Sequence, residues 1–244
     1  MSKKRVSLTL EEELLKRMDA EADHKSLNRS QMFEEVVEEY IHGQEIDTAV
    51  IFCGGEEKRS LKSVDGRPVL SHIVEHLKDN NISRLVLLPG KNEEEIRDRF
   101  SYGMDVEYVS EEEPRGTASA LKKLGDRIGK TFLAVNGDVI ARADIADMLK
   151  VHREEGRKAT MALTTVEDPS EYGTVKLKGR KVLGFEEKPE PGEEPTKLVN
   201  AGTYIFEPSI FDELSDGGLD SVFEKLSSSG ELSGYIYGGE WRRP

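Results

Sequence analysis

From Asp47 onward, strand-like apolar runs alternate with helix-like segments, and this alternation restricts the fold more than any other feature of the sequence. "TAVIFCGG" reads as a buried strand entering a glycine turn, and "PVLSHIVEHLKDNN" as the helix after it. The pairing repeats in "RLVLLPG" with "NEEEIRDRF", "DVEYVSE" with "GTASALKKLGDRI", and "TFLAVNGD" with "ADIADMLKVHREEG". "ATMALTTV", a hairpin-like "YGTVKLKGRKVLGFEEKP" and "LVNAGTYIFEP" add further strands. Such alternation predicts an α/β fold, a doubly wound and mostly parallel sheet of Rossmann type over residues 48–244, with ligands at the carboxyl ends of its strands.

The segment before it is built differently. In "RVSLTL", Val6, Leu8 and Leu10 alternate with Arg5, Ser7 and Thr9, which predicts a strand with one apolar face. Leu14, Leu15, Met18 and Ala22 follow at helical spacing, with Thr9 as a cap and acidic residues in the first turn. "SLNRS" breaks the pattern and offers Asn28 and Ser30 as caps for a second helix, whose stripe is Met32, Phe33, Val36, Val37, Tyr40 and Ile41. One strand and two short helices over residues 1–43 bury too little to fold alone. The expected remedy is a homodimer that pairs two copies of the strand; a helical hairpin packed on the main domain is the alternative. Residues 44–47, "QEID", read as a linker.

Composition narrows the function. The chain has 244 residues and a formal net charge of −13, which argues against general coating of nucleic acid. The basic cluster Lys3, Lys4 and Arg5 is a local exception. A single cysteine, Cys53, excludes an intrachain disulfide framework and a cysteine-rich zinc site. No apolar run approaches the ~20 residues that span a bilayer, and no signal-peptide core precedes the first strand, so a cytoplasmic address and no membrane partner are expected.

Several loops fall where the expected sheet would deliver ligand contacts. "PRGTASAL" places Gly116 and Thr117 at a helix start, and "VNGD" ends a strand with Asp138. "GFEEKPE" offers Glu187 and Lys188, and "VNAGTYIF" offers Asn200 and Gly202. Each alone is ordinary turn chemistry.

Taken together and in order, "EEEPRGTASAL", "VNGDV", "EDPSEYGTVKL", "EEKPE" and "VNAGTYIF" resemble the sugar-1-phosphate nucleotidyltransferases, closest in flavour to the mannose-1-phosphate guanylyltransferase-like branch. Those enzymes join a nucleoside triphosphate to a sugar phosphate and release pyrophosphate. The resemblance implies that Gly54, Gly55, Glu111, Gly116 and Thr117 meet the nucleotide. It places Tyr172, Gly173, Glu187, Lys188, Asn200, Ala201 and Gly202 on the sugar-phosphate side. Asp138 is then a metal ligand, Mg2+ being required only if the chain is active. Residues 1–43, through "KKRVSLTL" and "SLNRSQM", resemble the ribbon-helix-helix DNA-binding proteins. This second resemblance implies a small β-α-α unit in which Arg5, Ser7 and Thr9 read bases of a double-stranded operator, with Lys3 and Lys4 beside them. Backbone N–H groups around Asn28, Arg29 and Ser30 would hold a phosphate.

The enzyme-like pattern breaks at two places. Family loops continue GG-x-G-T-R and later supply a lysine; here Gly54-Gly55 runs into "EEKRSLKSVDGRP", so that Arg59 must stand for one of two cations. Arg59 and Lys188 are the catalytic candidates if the site is active. Where relatives read W-x-D-I-G-T-P, this sequence reads "EWRRP", and Arg243 occupies the position of a second metal-binding aspartate. A cation there would pair with phosphates directly. The expectation is therefore a dimeric regulator whose large domain binds a nucleotide, sugar phosphate or nucleotide sugar with impaired catalysis. An active nucleotidyltransferase with an N-terminal arm is the alternative, and a DNA-associated scaffold comes third.

Overall fold

In the computed structural model, residues 6–42, 46–55, 57–99, 103–110, 113 and 115–244 are described, with backbone alone at 38–42. The chain divides into two compact units, Met1–Glu45 and Ile46–Pro244.

The first unit holds two helices, α1 (Glu12–His24) and α2 (Arg29–His42). Thr9 does not cap α1. Glu11 is the N-cap residue, its side chain makes no capping bond, and Thr9 lies two residues too early to reach the first free N–H groups. Asn28, by contrast, closes a reciprocal capping box on α2: its Oδ1 accepts from the Gln31 N–H, and Gln31 Oε1 accepts from the Asn28 N–H, both at 3.0 Å. Ser30 is therefore a first-turn residue and not the cap. Arg29 donates to both carboxylate oxygens of Asp19, at 2.7 and 2.6 Å, and ties the second helix to the first. Ala22 and Met32 are buried, whereas Val6, Leu8, Leu14, Val36 and Val37 stay exposed in the single chain. Residues 6–10 form no ladder, since a lone strand has no partner for its N–H and C=O groups.

The second unit is built on β1 (Thr48–Phe52), β2 (Ser63–Val64), β3 (Arg67–Pro68), α3 (Val69–Asp79), β4 (Arg84–Leu88), α4 (Glu93–Arg99), β5 (Asp105–Tyr108), α5 (Thr117–Lys122) and β6 (Phe132–Asn136). There follow β7 (Ile140–Ala141), α6 (Ile145–Glu155), β8 (Ala159–Thr165), β9 (Gly173–Lys178), β10 (Lys181–Glu187), β11 (Leu198–Phe206), α7 (Leu219–Ser229), β12 (Leu232–Ile236) and β13 (Trp241–Arg242). The large sheet runs β5-β4-β1-β6-β11-β8-β12-β10-β9. Its first four strands are mutually parallel, as the alternating pattern requires. Beyond β6 the sheet is mixed: β11 is antiparallel to both neighbours, and the β9–β10 hairpin closes the far edge.

Successive residues of the central strands serve opposite faces. Ala49 and Ile51 of β1, Leu85 and Leu87 of β4, and Leu133 and Val135 of β6 join α3 and α6 in one core layer. Val50, Phe52, Val86, Leu88, Phe132 and Ala134 join α5 and α7 in the other. Burial on both faces explains why these strands read as continuous apolar runs. Ile46, within the segment read as a linker, is 4% exposed and belongs to the first layer. The Asp47 carbonyl accepts from the N–H groups of Ser83 and Arg84, so Ile46 and Asp47 belong to the second unit. Under α7, Tyr204, Phe206 and Phe223 pack with ring centroids 5.0 to 6.4 Å apart. No described helix is long and apolar enough to cross a membrane.

One close approach braces the loop before α5. Gly116 has φ +108°, and a Cβ there would collide with the Gly217 carbonyl. The same carbonyl accepts from the Ala118 N–H at 3.0 Å, Ser119 Oγ accepts from the Gly217 N–H, and Thr117 Oγ1 accepts from the Leu219 N–H. Gly116→Ala should destabilise the second unit by about 1–3 kcal/mol, the usual cost of a backbone conformation closed to side chains. Urea unfolding of the full chain measures this, and an unchanged midpoint would mean that the 217–219 loop gives way freely.

Candidate functional site

The residues singled out in the first unit gather at two places. Ser7 and Thr9 lie on the exposed segment before α1, and Lys3, Lys4 and Arg5 lie outside the described residues. At the start of α2, the Asn28 N–H is spent on Gln31. The Arg29 and Ser30 N–H groups, as first-turn donors, have no intrahelical partner. The Arg29 side chain is engaged by Asp19, so only its backbone is available to a phosphate at this turn.

In the second unit, the carboxyl ends of β1, β4 and β6 open into a cavity of about 510 Å3. This is where the strand order reverses, β4 and β5 lying to one side of β1 and β6 to the other, the usual crevice of an open α/β sheet. Its apolar wall is Phe52, Leu88, Val109 and Ala120. Gly54, Gly55, Arg59, Gly116, Thr117 and Asp138 also line it, which brings together the described residues expected on the nucleotide side. Glu111 lies outside the described residues. The glycine turn is held from behind: Asn92 Nδ2 donates to the Gly55 carbonyl at 3.0 Å, and the Ser60 hydroxyl donates to the Cys53 carbonyl at 3.2 Å.

A second cavity of about 130 Å3 adjoins the first. Tyr172, Gly173, Glu187, Lys188, Asn200 and Gly202 line it, as expected for the sugar-phosphate side. Ala201 does not; its side chain is buried in the core and its carbonyl accepts from Trp241 Nε1 at 3.3 Å. Strand β11 bulges between Asn200 and Tyr204, with Gly202 at φ +79°. The bulge turns the Asn200 amide onto its own strand: Oδ1 accepts from the Gly202 N–H at 2.9 Å, and Nδ2 donates to the Tyr204 hydroxyl at 2.8 Å. Asn200 is thus a positioned wall residue, held before any ligand arrives. Burial raises the Glu187 carboxyl above its ordinary range, and the neighbouring Lys188 charge opposes that only in part.

Asn136, Asp138 and Arg243 line both cavities. At this junction Arg243 Nε donates to Asp138 Oδ2 at 3.3 Å, and the guanidinium lies 5.4 Å from the centre of the Tyr172 ring. The short strand β13 fixes this geometry. It pairs with β7, the Arg142 N–H donates to the Glu240 carbonyl at 2.9 Å, and Trp241 meets Tyr172 edge-on at 5.3 Å. Arg59, on the turn after the glycine pair, donates to Glu57 at 2.6 Å and holds that carboxyl below the usual carboxylate range. Lys58 reaches away to Glu95, also at 2.6 Å, and so does not take the place of a loop cation.

These residues do not fit a divalent ion. Asp138 is the carboxylate the sequence offers for it, and a guanidinium is bonded to that carboxylate. Magnesium is commonly held by one or two carboxylates with substrate phosphates completing its oxygen set, and a cation already on this carboxylate opposes its entry. Cys53, at the mouth of β1, offers no nucleophile: burial pushes its thiol up to about 12.

The sequence reading passed over Asn136, Gly137 and Trp241. "VNGD" carried the first two, and the signal was the whole strand end rather than its acid. A Cβ at Gly137 would run into the Phe52 carbonyl, so this glycine lets β6 approach β1 at the cavity floor.

Known proteins share this sequence pattern and fold. The nucleotidyl transferase family model matches residues 53–233, and the model for ribbon-helix-helix protein, copG family, matches residues 4–42. A mannose-1-phosphate guanylyltransferase of Mycobacterium tuberculosis is 32% identical over 80% of this chain and 60% of its own length. The bifunctional protein GlmU of Methanococcus maripaludis is 30% identical over 79% of this chain, which spans half of that relative. Among solved structures, HddC from Yersinia pseudotuberculosis superposes with a TM-score of 0.69 at 21% identity, over 80% of this chain and 92% of its own. A UDP-glucose pyrophosphorylase complexed with UDP-glucose gives 0.70 at 17% identity, over 80% and 92%. The chain therefore belongs to the nucleotidyl transferase family and carries a ribbon-helix-helix domain ahead of its family domain.

Proposed function

We propose that the protein is a dimeric, cytoplasmic, DNA-binding regulator whose nucleotidyltransferase domain has exchanged catalysis for ligand sensing. The observation that carries this reading is the Arg243–Asp138 pair at the junction of the two cavities. Transfer to a triphosphate depends on a metal ion and cations that neutralise the charge developing on the phosphates. With a guanidinium on the carboxylate that should hold the metal and a shortened loop after Gly55, that neutralisation is reduced by orders of magnitude in rate. Both cavities persist nonetheless. Their linings suit a nucleotide, a sugar phosphate or a nucleotide sugar.

The first unit supports the other half of the reading. Its exposed Val6, Leu8, Leu14, Val36 and Val37 give a second copy an apolar surface to cover. Pairing of two segments that start at Lys3 would build the two-stranded ribbon that enters a major groove, and Arg5, Ser7 and Thr9 would face the bases. The Arg29 and Ser30 amides would set the register on the phosphate backbone. Regulation requires that ligand and operator favour different populations of the dimer.

The competing reading, an active sugar-1-phosphate nucleotidyltransferase with an N-terminal arm, draws on Asp138 and Lys188 lining one cavity. Pyrophosphate release separates the two. Purified protein with Mg2+, the four nucleoside triphosphates and a panel of hexose-1-phosphates should release none beyond an Asp138→Asn control. Release that disappears in the control would restore the enzyme.

Arg5→Ala should abolish sequence-specific binding to the operator while leaving the thermal shift caused by nucleotide sugars intact, read by electrophoretic mobility and melting temperature. Unaltered operator binding would overturn the ribbon assignment. Lys188→Ala should weaken nucleotide-sugar binding about tenfold, through loss of a cation beside the ligand phosphate, with unchanged DNA affinity in its absence. Calorimetry reads the first effect, and equal affinities in variant and parent would remove Lys188 from the site.

A further inference from the structure

We infer that the ligand is a nucleoside diphosphate ester, a nucleotide whose two phosphates bridge to a second polar moiety, and that Arg243 takes the bridging place of a metal ion between Asp138 and those phosphates. This inference rests on the ligand-sensing reading and specifies its chemistry.

The geometry supplies three reasons. First, a ligand that fills both cavities must cross the junction, and Arg243 is the cationic residue that lines both. An apolar-walled cavity of about 510 Å3 on one side takes a base and ribose, and a smaller polar cavity of about 130 Å3 takes a polyol. The link between them lies at Arg243. Second, the guanidinium has donors to spare. Nε is on Asp138 at 3.3 Å and Nη1 meets the Glu171 carbonyl at 3.5 Å, a distance at the limit of a hydrogen bond. Nη2 has no partner among the described residues, so the outer edge of the fork is available for a bidentate grip on phosphate oxygens while Nε keeps Asp138. Third, β13 pins the backbone at Trp241 and Arg242, so the fork is held in place before the ligand arrives.

Charge then selects among nucleotides. On the cavity wall the cations are Lys58, Arg59 and Arg243, against Glu57 and Asp138. All three are paired, Lys58 with Glu95, Arg59 with Glu57 and Arg243 with Asp138, but the two arginines meet their carboxylates through Nε and keep outer N–H groups. A diphosphodiester carries one negative charge on each phosphate, which two arginines can meet. A triphosphate ends in a monoester that adds about 1.5 to 2 further charges, beyond what the cations of this wall offset. The site therefore favours the two-phosphate ester over the triphosphate, and does so without a divalent ion.

The test is calorimetric titration of the full chain with GDP-mannose, UDP-glucose and GTP, each in Mg2+ and in EDTA. At least one diphosphate sugar should bind with the same affinity, within twofold, in both buffers, and GTP in EDTA should bind at least tenfold more weakly. Arg243→Gln should lose tenfold or more in EDTA with an unchanged unfolding transition by circular dichroism, and Arg59→Gln should lose a smaller factor. Arg243→Asp should lose binding in EDTA and recover it with Mn2+, because the aspartate introduced beside Asp138 supplies a second oxygen ligand. Binding that requires Mg2+, or that Arg243→Gln leaves unaltered, overturns this inference alone. Absence of binding by every nucleotide in both buffers overturns the sensing reading, and this inference with it.

Discussion

The second unit depends on burial of both faces of β1, β4 and β6. Their side chains feed two core layers at once, so the strands cannot slide by one residue without exchanging the contents of both layers. That rigidity fixes where each strand ends. At those ends the apolar run stops, and the chain turns away through Gly54-Gly55 after β1 and Gly137 after β6. Side chains would fill the crevice at these points. Glycines leave it open, and at Gly137 the small size is required outright because the Phe52 carbonyl stands in the way. A large cavity next to a dry, doubly covered sheet is a consequence of that arrangement.

Much of this was legible in the alternation of the sequence because burial on both faces produces uninterrupted apolar strands. The parts that were not legible have physical causes. Strand β12, "LSGYI", is short and carries Gly234 at a place where the Leu163 and Leu177 side chains crowd in, so its strand character comes from its neighbours. The helix α7 carries clear signals, with Leu219, Val222, Phe223 and Leu226 at helical spacing and Gly230 in the left-handed region at its end. Thr9 as a cap failed by two residues, the ordinary uncertainty of a helix boundary. The bulge at Gly202 and the self-engaged Asn200 need tertiary register to be seen at all.

The candidate site divides along the same line. The motif residues Gly54, Gly55, Gly116, Thr117 and Asp138 could be grouped from their order in the sequence, because each ends a strand or opens a helix on one edge of the sheet. That Arg243 stands where relatives place an acid was also visible. That its guanidinium bonds Asp138 was not, because 105 residues separate the partners and only the β7–β13 pairing brings them together. A substitution at one position thereby changes the chemistry of another: the retained carboxylate keeps its place in the sequence and acquires a cation as its partner.

A regulator needs something from this pair that an enzyme does not. A catalytic cation must bind the transition state better than the ground state; a sensor must bind its ligand differently in two conformations of the protein. A ligand with equal affinity for both conformations shifts nothing, however tightly it binds. Arg243 follows the two-residue strand β13, which is held by its pairing with β7, the Arg142–Glu240 backbone bond, the Trp241–Ala201 bond and an edge-on ring contact, with Arg242 held by Asp65 at 2.9 Å. The neutral hydrogen bonds among these are individually worth about 0.5–1.5 kcal/mol, and the exposed ion pair adds little. A diphosphate drawn onto the guanidinium adds charge-assisted bonds of roughly twice the strength of neutral ones. Such bonds would add to the contacts that already hold β13. In the proposed regulator, the end of the second unit is then the element a ligand would bias, above a sheet buried on both faces.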